Sequence, residues 1–79
     1  MTLLQQKLLD LDTRIKALNY YPDLWKRTLY EHKVIAFNDL EDAQIVEIAN
    51  NFWMALPNVR SIRVNPFWLL CEICETELD

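Results

Sequence analysis

The chain has 79 residues, 12 acidic against 8 basic for a net charge of −4, and no glycine. A missing glycine excludes the glycine-dependent phosphate loops and tight two-residue hairpins, and the acidic balance is opposite to that of a duplex-DNA binder. With 52% hydrophobic and 25% charged residues it is a folding sequence, but a chain this short buries only about 60% of its unfolded surface by itself.

Residues 2–18 carry the clearest pattern. Leu4, Leu8, Leu11, Ile15 and Leu18 recur at spacings of four and three, which sets five branched side chains on one helical seam. Thr2 is a suitable N-cap. Asp10 with Arg14 and Asp12 with Lys16 are acid-to-base pairs four residues apart, the favourable order. The seam serves either the chain's own core or a dimer. It spans two heptads, fewer than a secure coiled coil needs.

Tyr21-Pro22 breaks the pattern, and Pro22 suits the first position of a second helix, residues 22–33, carrying Leu24, Trp25, Leu29 and Tyr30. Val34-Ile35-Ala36-Phe37 reads as a buried connector or the last turn of that helix. Asn38, with Glu41 three residues on, predicts a capped start for a third helix over 39–56, ended by Pro57. Its apolar stripe, Ile45, Val46, Ile48, Ala49, Phe52, Trp53 and Leu56, is wide enough to face a core from more than one side. Ile62 and Val64 alternate with Arg63, a weak strand signal better read as an irregular connector. Asn65-Pro66 predicts a fourth helix over 66–76, apolar almost all round from Phe67 to Cys74.

Few constellations carry chemistry. Cys71 and Cys74 share a helix face, so both sulfurs could reach one ion, yet a structural zinc needs four ligands and the sole histidine is His32. Two chains could together supply four thiolates. Apolar surroundings and the neighbours Glu72 and Glu75 should keep both thiols sluggish, and core filling accounts for them without chemistry. Ser61 and His32 lie far apart in sequence, with no nucleophile elbow around the serine. Basic residues Lys26, Arg27, Lys33, Arg60 and Arg63, with Trp25 and Tyr30 nearby, could contact phosphate or stack a base, although a solvated helix face explains them too. Residues 1–33 hold six bases and four acids (+2); residues 34–79 hold two bases and eight acids (−6).

The expectation is a single all-α domain of three or four helices over residues 1–79, open to completion by dimerisation, with no metal, no cofactor and no catalytic residue. Its expected function is a non-enzymatic interaction module, a small acidic regulator, inhibitor or adaptor. The expected partner surface is Trp53, Phe67, Trp68 and Leu70, because one small core has little room for both faces of each bulky pair. Asp39, Glu41, Asp42 and Glu47 would set partner choice. Self-association would run through Leu4, Leu8, Leu11, Ile15 and Leu18. Nucleic-acid binding and a dimer linked by metal at Cys71 and Cys74 are the alternatives. No signal-peptide pattern opens the sequence and no apolar run is long enough to span a bilayer, so a reducing, cytoplasmic setting without membrane attachment is expected.

Overall fold

A computed structural model describes residues 1–57 and 66–76. Among them are four α-helices and no strand: α1 Leu3–Leu18, α2 Pro22–Glu31, α3 Asp42–Ala55 and α4 Phe67–Cys74. The all-α bundle read from the sequence is therefore the fold. The strand signal over Ile62–Val64, the Asn65 cap, and Arg60, Ser61 and Arg63 lie outside the described residues.

Each boundary has a local cause. At α1, Thr2 and Gln5 form a reciprocal capping box: the Gln5 amide donates to Thr2 Oγ1 at 3.1 Å, and the Thr2 amide donates to Gln5 Oε1 at 2.7 Å. Its C-terminus closes on Asn19, which adopts the left-handed conformation at φ 53°. The Tyr20 amide reaches back to the Ile15 carbonyl and the Asn19 amide to the Lys16 carbonyl, the two bonds of a Schellman motif. α2 begins at Pro22 as expected but stops at Glu31, not at residue 33. Here too a Schellman motif ends the helix, with Val34 bonded to Leu29 and Lys33 to Tyr30, and Lys33 left-handed at φ 56°. In a chain without glycine, asparagine and lysine fill the positions glycine usually takes.

The third helix starts later than its sequence cue. Asn38 is not its cap; Phe37–Asp39 is a 3₁₀ turn, and α3 is entered from Glu41, whose amide donates to Gln44 Oε1 at 2.9 Å. The displaced start follows from Gln5. Its Nε2 donates to the Asn38 and Leu40 carbonyls at 3.1 and 2.9 Å, which holds 38–40 out of the helix and against α1. α4 ends at Cys74, two residues before the expected limit.

The core answers where the α1 seam goes. Leu4, Leu8, Leu11 and Ile15 are buried with Trp25 of α2, Ile45, Ile48, Ala49 and Phe52 of α3, and Leu69, Leu70 and Ile73 of α4. Full burial of one such side chain is worth about 1.5–3 kcal/mol relative to its exposure. Of the two uses open to the seam, the chain's own core takes Leu4, Leu8, Leu11 and Ile15, which leaves them unavailable for self-association; only Leu18 of that set is exposed. Trp25 fixes α2 on this core. Its ring meets Phe52 edge-on at 5.0 Å, and its Nε1 donates to the buried Asp12 carboxylate at 2.8 Å. The other Asp12 oxygen pairs with Lys16 at 3.1 Å, as the spacing predicted.

Candidate functional site

Core packing decides which of the expected partner residues are available. α4 has eight residues and packs against both α1 and α3, so a helix apolar all round has two sides covered. Phe67 and Leu70 are consequently buried, which removes them from any docking surface. Trp53 is half-buried, its ring stacked on Phe67 at 4.5 Å. Trp68 is 39% exposed, with the Arg14 guanidinium 5.3 Å over its ring. The aromatic set is thereby divided: half of it builds the core and half reaches the surface at separate places.

A more open apolar surface lies where α2 ends. Lys33 turns the chain back in its left-handed conformation, and Val34 follows it inward as the Schellman contact to Leu29; both pack on the core. The chain bends at Ile35, Ala36 is extended at φ −141° and ψ 138°, and Phe37 enters the 3₁₀ turn. Val34 and Phe37 pack against the core while Ile35 between them stays outside, 98% exposed, with Tyr30 at 83%. Together with Glu31, Lys33 and Val34 they line a shallow depression of about 470 Å³. Lys26 and Arg27 are exposed on the same helix, Arg27 pairing with Glu31 at 3.6 Å.

The patterns seen in the sequence do not isolate this patch. Tyr30 reads as part of an amphipathic helix, and no glycine marks the turn that expels Ile35. No strand period marks Ile35 for the surface, because Val34 and Phe37 on either side of it both pack inward.

Other candidates fall elsewhere. Asp39, Glu41, Asp42 and Glu47 are all exposed, and Asp42 accepts the Thr2 hydroxyl at 3.5 Å. None of them lines the Tyr30–Ile35 depression. Trp25, a possible base-stacking residue by sequence, is buried and bonded to Asp12, so of that pair only Tyr30 offers a ring face. His32 caps α2 and meets the Asn51 amide nitrogen at 2.7 Å, which joins α2 to α3.

Cys71 and Cys74 are free thiols, each half-buried rather than enclosed in the core. Burial and then the charge of Glu75 push the Cys71 thiol up. Burial, followed by Cys71 and Glu75, pushes the Cys74 thiol up to about 11. Both are protonated and slow as nucleophiles at neutral pH. Among the described residues no three His, Cys, Asp or Glu side chains are grouped to hold a metal ion, and no helix is long and apolar enough to cross a membrane. Comparison with protein-family models, with curated proteins and with solved structures returned no match.

Proposed function

We propose that this chain is a non-enzymatic protein-interaction module, a small acidic regulator, inhibitor or adaptor, that docks a protein partner on the Tyr30–Ile35 turn. The observation that carries the reading is the exposure of Ile35 and Tyr30 side by side over an apolar depression. A branched aliphatic side chain held almost wholly in water gains about 1.5–3 kcal/mol when a partner covers it, and tyrosine is a frequent interface anchor. The Schellman turn supports the reading further, because it holds the patch without the entropy cost of ordering a loose loop on binding.

Lys33 lines this patch and Arg27 pairs with its Glu31, whereas Asp39, Glu41, Asp42 and Glu47 lie on the opposite-charge half of the sequence. The partner favoured by this arrangement has an apolar centre with acidic side chains at its rim. A second copy meeting this turn face to face offers the apolar centre but only Glu31 as an acid, so a homodimer built on this turn, not on the α1 seam, is the weaker candidate. Free thiols and the acidic balance suit a reducing, cytoplasmic setting.

The test is affinity capture with the wild-type chain and a Tyr30→Asp/Ile35→Asp twin, both quantified by mass spectrometry. The substituted side chains are exposed, so the twin should keep its fold to within about 0.5 kcal/mol. A protein, or the chain itself, enriched by the wild type and lost with the twin is the expected result. Equal enrichment by both chains would contradict the proposed surface.

A further inference from the structure

Sulfur is unevenly placed in this molecule. The sequence has two cysteines and two methionines, and three of these four residues line one groove. Met54 comes from the last turns of α3, and Cys71 and Cys74 from α4; Asn50, Trp53 and Glu75 complete the walls of about 260 Å³. We propose that Met54, Cys71 and Cys74 bind a single Cu(I) ion through two thiolates and one thioether drawn from two helices.

The geometry meets the needs of such a site. Residues three apart on a helix hold their Cβ atoms about 5–6 Å apart on one face, close enough for two sulfurs to converge on one ion. Both cysteines are free and partly exposed on the groove wall, Cys74 with one side against the core, so an ion reaches them from solvent. Met54 is 81% exposed, and its three rotatable bonds let the thioether swing over the pair without moving α3.

The donor set selects the metal. Calcium and magnesium require several oxygen ligands, and a structural zinc site takes four nitrogen or sulfur ligands. No such group exists among the described residues. Thiolate and thioether donors are soft and favour Cu(I), which accepts low coordination numbers. The copper enters already as Cu(I), so no electron is transferred. Each thiol releases its proton to solvent as its Cu–S bond forms, and affinity therefore falls as pH falls. The site leaves the Tyr30–Ile35 turn untouched, so it stands or fails independently of the docking proposal.

The experiment is an anaerobic titration of the full chain with Cu(I) in competition with a chromophoric Cu(I) chelator, with mass in solution measured alongside. One Cu(I) per monomer is expected, with a copper absorption spectrum showing sulfur neighbours. Cys71→Ser and Cys74→Ser should each lower affinity by about 100-fold or more, and Met54→Leu by about 10-fold. Met54→Leu is close in volume and lies at an exposed position, so it reports on the thioether without disturbing the fold. Complete loss of copper to an equimolar chelator would overturn the proposal. So would an unchanged affinity in Met54→Leu, or half an ion per chain with a doubled mass, which belongs to a metal-linked dimer.

Discussion

Asp12 is a buried carboxylate in the middle of an apolar seam, and the Trp25 indole beside it explains its place. Asp12→Ala leaves that indole N–H buried without an acceptor, which should cost about 1–3 kcal/mol. Asp12→Asn keeps an acceptor oxygen and gives up only the Lys16 pair, whose lysine is largely in solvent, at a cost of less than about 1 kcal/mol. Urea unfolding followed by tryptophan fluorescence separates the two; equal losses would mean the indole bond contributes nothing. Tyr20 is the opposite case. Its hydroxyl is buried with no hydrogen-bond partner among the described residues, and burial, then Tyr21, push its pKa up and hold it protonated. Tyr20→Phe removes the unpaired group and should leave stability unchanged or raise it by up to about 1 kcal/mol; a clear fall in the urea midpoint would contradict that.

The cysteines give a pH dependence with a definite sign. The Cys74 thiol ionises near 9.0 in an unfolded chain and is pushed up to about 11 in the fold. The folded state then holds a proton that the unfolded state has lost, so stability is full below pH 9 and declines as pH rises toward 11. Cys71 and Tyr20 shift in the same direction and add to the decline. Metal-free Cys74→Ser should show a shallower loss of thermal midpoint between pH 9 and 11 than the wild type, and an identical slope would count against the burial of this thiol. The notion that the pair is sluggish is legible in the sequence, from Glu75 and the apolar neighbours. Its half-exposed placement on a groove is not, because it depends on which side of α4 meets α3.

At the scale of elements, regular helices were legible and their ends were less so. Period and the Thr2 cap located α1 closely, since the spacing from Leu4 to Ile15 and the place of Thr2 agree on one answer. The start of α3 was misplaced because Asn38 and Glu41 satisfy the same local rule that Glu41 and Gln44 satisfy in the fold. A contact more than thirty residues distant decides between them: Gln5 takes the Asn38 and Leu40 carbonyls. Gln5→Ala should therefore loosen the connector before the bundle. The Asp39 and Leu40 amides, bonded within the 3₁₀ turn to Ala36 and Phe37, should exchange with deuterium roughly ten-fold faster, while amides in the middle of α3 change little. Uniform acceleration across the chain would deny Gln5 this local role.

On the scale of the whole molecule, the expectation that a short, aromatic-rich chain leaves apolar surface uncovered holds for Ile35, Tyr30 and Met54, and it does not hold for Phe67 and Leu70. Composition conveyed that apolar side chains would be exposed; it did not convey which ones. That choice came from topology: α4 was drawn between α1 and α3, and the Lys33 turn expelled Ile35. The α1 seam was equally ambiguous by sequence, because a core and a dimer interface ask for the same periodicity.

The most direct test of the central claim is a photo-crosslinking amino acid placed at position 35 in living cells, with position 13, exposed and polar, as the comparison. The account expects a discrete covalent adduct with one protein, or with a second copy of the chain, at position 35 and none above background at position 13. Adducts of equal yield and identity at both positions, or none at position 35, would contradict it.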